Sequence, residues 1–154
     1  MCLLEKRQFS EDDFAVFHPG GSLGRKLTIR TKDVMVTGDM MPVVPEDMLM
    51  RKAMNVLSRK NLGIIVAVNQ HRKISGVFST GDLMRLLEKG KDFLDKPLLD
   101  YSSPKPKTIS PEALAAKALH VMETSSITCL VVSDPEDRPI GIVQIYSILR
   151  AGVY

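Results

Sequence analysis

Tryptophan is absent from this 154-residue chain, and tyrosine occurs only three times. So few rings leave little for bases to stack on. A net charge of +3, from 21 Lys and Arg against 18 Asp and Glu, is too weak and too evenly spread to line a nucleic-acid groove. Cysteine is scarce too. Cys2 and Cys129 lie far apart and in no C-x-x-C, which excludes a disulfide framework and a zinc ribbon. The three histidines, His18, His71 and His120, share no metal-ligand spacing, so no metal is expected. The longest apolar run, Ile64 to Val68, falls far short of the ~20 residues a membrane span needs. The start turns charged at Glu5-Lys6-Arg7, too early for a signal peptide, so a reducing, cytoplasmic setting is expected. What is present is an ordinary globular composition, 44% apolar and 25% charged, in a length that suits one domain or two very small ones.

An internal repeat organises the chain, at a shift of 65 residues without a gap. Ala53 to Leu57 lies over Ala118 to Met122, Leu62 to Val66 over Ile127 to Val131, and Gly76-Val77-Phe78 over Gly141-Ile142-Val143. Few positions are identical, but the apolar pattern nearly always matches. Leu49, Ala53, Val56 and Leu57 form a helical stripe, repeated by Leu114, Ala118, Val121 and Met122. A β-branched run follows, Ile64 to Val68 or Cys129 to Val132, continuously apolar as in a strand covered on both faces. Then come a polar hairpin turn, Asn69 to Lys73 or Asp134 to Arg138, a second strand, Ile74 to Phe78 or Ile140 to Val143, and a helix from Thr80 or near Ile145. Short first strands are expected near Val43-Val44 and Thr108-Ile109. The fold class is therefore α/β of the α+β kind: two β-α-β-β-α units, too small to be comfortable alone, packed sheet to sheet as a pseudo-two-fold pair. Lys89 to Asp100 is expected as a short packed helical connector, with Gly90 ending the helix before it.

The string Gly76-Val77-Phe78-Ser79-Thr80-Gly81-Asp82-Leu83, standing in a tandem repeat, resembles the Gly-apolar-apolar-Ser/Thr-x-x-Asp-apolar motif of cystathionine-β-synthase (CBS) domains. The stretch Phe9 to Leu27, with His18-Pro19-Gly20-Gly21-Ser22-Leu23-Gly24-Arg25, resembles the junction in D-arabinose-5-phosphate isomerases, where a sugar isomerase (SIS) domain precedes a CBS pair. The resemblance implies a remnant of the SIS end at 1–28, one CBS domain at 29–90, and a connector with a second CBS domain at 91–154. It implies a parent enzyme interconverting D-ribulose 5-phosphate and D-arabinose 5-phosphate for Kdo and lipopolysaccharide synthesis. The chain then reads as its regulatory half, inactive alone, with the SIS domain and a second copy of the chain as partners. His18 matches a catalytic position of those enzymes. No resident cofactor is implied. The effector expected is an adenine nucleotide, the usual guest of CBS pairs, or the nucleotide-sugar CMP-Kdo as a feedback signal.

The candidate ligand residues are Ser79, Thr80, Asp82 and Arg85. Backbone N–H groups at a strand-to-helix junction suit a phosphate, and the Asp82 carboxylate suits a ribose diol. The same residues also suit a plain helix cap, with Arg85 pairing with Asp82 or reaching a phosphate. In the second copy Gln144, Ile145 and Ser147 stand in their places, so that cleft is expected to be structural. Cys129 is expected to be a small strand residue buried in the core, and Met48, Met50 and Met54 to serve core or dimer packing. The rival reading of the whole is an oligomerisation module that binds no ligand.

Overall fold

Each half of the repeat folds around its own three-stranded sheet, one parallel and one antiparallel neighbour flanking a central strand. The computed structural model describes residues 21–90 and 92–154. A first helix, α1 (Ser22–Thr28), leads into the pair. The first unit is β1 (Val43–Pro45), α2 (Met50–Lys60), β2 (Ile64–Val68), β3 (Ile74–Ser79) and α3 (Thr80–Glu88). The second is β4 (Thr108–Ile109), α4 (Ala115–Ser125), β5 (Cys129–Ser133), β6 (Pro139–Gln144) and α5 (Ile145–Arg150). The two β-α-β-β-α units are those expected, and the repeat holds to fine detail. Register irregularities fall at Ala67/Val68 and at Val132/Ser133. Left-handed residues in the hairpin turns fall at Arg72 and Asp137, and at the ends of α2 and α4 at Asn61 and Ser126.

The sheets meet face to face through Ile64, Val66, Val131 and Ile142. On their outer faces Ile65, Ala67 and Phe78 pack against Met50, Ala53 and Leu57 of α2, and Leu130, Val132 and Val143 against the helices of the second unit. The central strands are thus covered on both faces, which is why they read as unbroken apolar runs. Met50 is fully buried, and Met48 and Met54 pack on the first core, so these methionines serve intrachain packing. The stripe shifts by one at its start: Leu49 is an exposed cap, and Met50 takes the core position.

Neither α2 nor α4 starts with a capping side chain. Their first N–H groups are satisfied by other segments of the chain, as helix ends must be. For α2 the partners are Lys96 and Leu94, whose carbonyls accept from Met50 and Arg51. For α4 the carbonyl of Ile29 accepts from the Ala115 N–H at 2.8 Å, and the buried Thr31 donates to Ala113 from both its N–H and its hydroxyl. The segment on the N-terminal side of the first unit therefore braces the second, and the segment between the units braces the first. Val36 pairs with Ile142 of β6, and Ser103 with Val77 of β3. Ile29, Val34 and Met35 pack on the second core. Glycine is required where these segments cross the sheets. A Cβ on Gly141 would lie 2.4 Å from the Met35 sulfur, and one on Gly76 2.8 Å from the Ser102 Cβ.

This bracing corrects the expectation for Lys89 to Asp100. The connector is packed, with Phe93 and Leu98 buried and Phe93 edge-on to Tyr101, but among its described residues the helix is limited to one 3-10 turn at Leu98–Tyr101. Two of its carbonyls, those of Leu94 and Lys96, serve the start of α2, which an α-helix through them would not allow. Gly90 does end α3, in the left-handed region.

Candidate functional site

The strand β3 ends at Ser79 and α3 starts at Thr80, without a loop between them. Ser79 is the N-cap, its hydroxyl accepting from the Asp82 N–H at 3.2 Å. Asp82 returns the bond: its Oδ2 accepts from the Ser79 N–H and hydroxyl, each at 2.8 Å. This is a reciprocal capping box. Arg85 completes it by donating from Nη2 to Oδ1 of Asp82. The Asp82 side chain is 21% exposed and that of Arg85 64%. The plain helix cap is formed, and it opens onto a cleft.

Partial burial disfavours the Asp82 carboxylate, but the bonds from Ser79 and Arg85 outweigh it, and the carboxyl titrates below its ordinary value. A group depressed in the folded state lends stability above its unfolded pKa, ~3.9 for Asp, and loses it as pH falls through the lower folded value. Carbon-detected NMR titration is expected to show the Asp82 carboxyl still ionised at a pH where exposed aspartates are half protonated. A midpoint at the ordinary value would show that the cap does not form in solution.

The cleft has a volume of ≈ 560 Å³. Ser79, Thr80, Gly81, Asp82 and Arg85 form one wall, Ile64, Val77 and Val131 an apolar floor, and Ser125 to Cys129 of the second unit the facing wall. Ser103, Lys105 and Lys107, from the stretch ahead of β4, close the side. The structure therefore brings all four residues singled out from the sequence together, and adds residues from both units that sequence reading missed. Lys105 and Lys107 stand in the string Pro104-Lys105-Pro106-Lys107, whose alternation of stiff and cationic residues was the available signal.

Not all donors here are free. Thr80 donates from its N–H to the Gly63 carbonyl at 3.1 Å, and the Asp82 N–H is held by Ser79. Of the four or so acceptor positions of a carboxylate, Asp82 has used three, two on Oδ2 and one on Oδ1. Gripping both hydroxyls of a diol requires Arg85 to turn outward. Arg85, the exposed partner, can turn into solvent, and the two bonds from Ser79 still hold Asp82 when it does.

At the second junction Gln144 is the N-cap without a side-chain cap bond, and the Ile145 N–H donates to Thr128 as Thr80 does to Gly63. Ser147 stands there in place of the carboxylate of Asp82. Cys129 is half-buried, not fully, and faces the cleft; its thiol donates to the Leu62 carbonyl at 3.2 Å. Burial pushes the thiol pKa up, only partly offset by hydrogen bonds with Thr128 and Gln144. His71 and His120 are exposed. His18 and Cys2 lie outside the described residues. Among the described residues no helix is long and apolar enough to cross a membrane.

Comparison with known proteins places this geometry. The arabinose 5-phosphate isomerase KdsD of Pseudomonas aeruginosa is 41% identical over 153 residues, covering 99% of this chain and 47% of that protein. The enzyme of the same name from Yersinia pestis is 40% identical, with 46% of its length covered. The chain thus spans about half the length of these relatives. Among solved structures, the AMP complex of the CBS domain protein PAE2072 from Pyrobaculum aerophilum superposes with a TM-score of 0.70 at 21% identity, covering 77% of this chain and 89% of that one. The CBS domain pair of MJ0100, in complex with 5-methylthioadenosine and S-adenosyl-L-methionine, gives a TM-score of 0.70 at 19% identity, with 79% and 93% covered. At such identities these likenesses speak for the fold alone. The CBS domain model matches residues 31–89 and again residues 98–154, and the chain belongs to the CBS-domain family, as a tandem pair.

Proposed function

We propose that this chain is the regulatory region of a cytoplasmic arabinose-5-phosphate isomerase and that it holds a nucleotide-type effector in the cleft at Ser79, Thr80, Asp82 and Arg85. The observation that carries the reading is the position of α4. Its C-terminal end, at Ser125, lines the cleft, and its N-terminal end is bonded to residues 29–31. Eleven residues make a rod about 16 Å long. Arg30 and Lys32 also hold Glu112, just ahead of it. A ligand that favours one position of α4 thereby biases the segment that leads from the proposed SIS domain, which is a population shift and not a new contact. In this reading residues 1–28 end the SIS domain, and His18 belongs to its active site. The parent interconverts ribulose 5-phosphate and arabinose 5-phosphate for Kdo and lipopolysaccharide synthesis. The relatives' names and the ligands bound in the structural neighbours support this assignment.

A second reading, assembly, has its own observation. Met84 and Leu87 on α3 and Tyr146 and Leu149 on α5 are large, apolar and exposed. Two copies joined through such a face would form an isologous dimer. Calorimetry of the purified chain with AMP, ATP and CMP-Kdo separates the two readings. One nucleotide bound per chain is the expected result, together with no turnover of arabinose 5-phosphate. A chain that dimerises in light scattering and binds none of the three is an assembly module only.

A further inference from the structure

Three cations and one carboxylate face the cleft: Arg85, Lys105 and Lys107 against Asp82. Arg85 and Asp82 already neutralise each other. Neither lysine takes part in a salt bridge among the described residues. An unoccupied α3 N-terminus does not explain where an anion would sit either, since two of its first N–H groups are engaged. The positive charge that remains is that of the lysines.

The repeat supplies an internal control. Lys105 and Lys107 correspond to Met40 and Pro42, and Asp82 to Ser147, whereas Arg85 is matched by Arg150. The arginine is common to both junctions. The carboxylate and the two lysines occur together at one junction and are lost together at the other. The lysines are also delivered by a stiff stretch. Pro104 and Pro106 fix φ at their own positions and keep Ser103 and Lys105 out of the helical region. The stretch is pinned by the Ser103–Val77 pair on one side and by β4 on the other. Little chain entropy is therefore lost when an anion binds.

Resting on the nucleotide reading of this cleft, we infer that Lys105 and Lys107 clamp the phosphate chain of the effector and select nucleosides carrying two or more anionic groups over nucleosides and monophosphates. Asp82 recognises the sugar, and the lysines count the charge. Arg85, once displaced from Asp82 by the sugar hydroxyls, joins them.

The test uses the full chain and the series adenosine, AMP, ADP and ATP, with tripolyphosphate alone as a further probe, by calorimetry at two salt concentrations. Affinity is expected to rise about tenfold for each phosphate that meets a lysine, the scale of one charge-assisted hydrogen bond. The rise should shrink at high salt, because the lysines are solvent-exposed. The double variant Lys105→Gln/Lys107→Gln should flatten the series to within a few-fold while leaving adenosine binding and the circular dichroism spectrum unchanged. If the series is flat in the natural chain, or its slope survives in the variant, the clamp is refuted while the cleft stands as a nucleotide site. If tripolyphosphate binds through the lysines but no nucleotide binds better, the clamp stands and the ribose role of Asp82 falls. If nothing binds, both are overturned.

Discussion

A chain that starts at Thr37 is expected to lose its second unit while keeping much of its first. The deletion removes no residue of the second repeat. It does remove Ile29, Val34 and Met35 from the second core, the Val36–Ile142 pair, and the bonds of Ile29 and Thr31 to the start of α4. Three partly buried apolar side chains are worth ~1 kcal/mol or more each. Each buried polar group left without its partner adds ~1–3 kcal/mol. The total, of order 5 kcal/mol, approaches the whole stability of a small domain. Hydrogen-exchange mass spectrometry should show fast exchange in α4, β5 and β6. Residues 94–103 still brace the first unit, so α2, β2 and β3 should retain protection, though less, because Val66 loses its packing against Val131. Equal protection of both sheets would mean that the segment ahead of the first unit is not needed by the second.

Replacing Asp82 by alanine is expected to weaken binding of a ribose-containing ligand ten- to hundred-fold. That range corresponds to ~1.5–3 kcal/mol for hydrogen bonds to a charged group. The same change removes one half of the capping box and so costs α3 some stability, of order 1 kcal/mol. Asp82→Asn separates the two effects. Asn keeps an oxygen for Ser79 but neither the charge that Arg85 pairs with nor two equal acceptors for a diol. It should fold almost as well as the natural chain and still bind poorly. Ser147→Ala, the matching change at the second junction, should leave affinity nearly unchanged. Equal losses at both positions, or none at either, would mean that the ligand sits elsewhere, and a loss confined to Asp82→Ala would mean that the effect runs through folding and not through the sugar.

The order of elements was legible because each rests on local physics. Apolar spacing marks α2 and α4, β-branched runs mark β2 and β5, and five-residue polar turns mark the hairpins. The repeat doubled each of these signals, and the strand-to-helix junctions at Thr80 and Ile145 were found for that reason. The string around Ser79 and Asp82 was legible as chemistry, because a cap and a ligand site call for the same residue types.

The sequence alone therefore determined two matched units, covered sheets, and a carboxylate at one junction only. Tertiary structure decided what each unit is completed by. Helices α2 and α4 lack capping side chains, and nothing local says that Leu94 and Lys96 serve one and Ile29 the other, since those hydrogen bonds join residues distant in sequence. The glycines at 76 and 141 were visible in the motif, but their reason is the side chains of Ser102 and Met35 lying against them. The cleft is decided in the same way. Ser79 and Asp82 are three residues apart, a local fact. Lys105, Lys107 and Thr128 reach them only because two sheets stack through Ile64, Val66, Val131 and Ile142, and packing of that kind has no period along the chain.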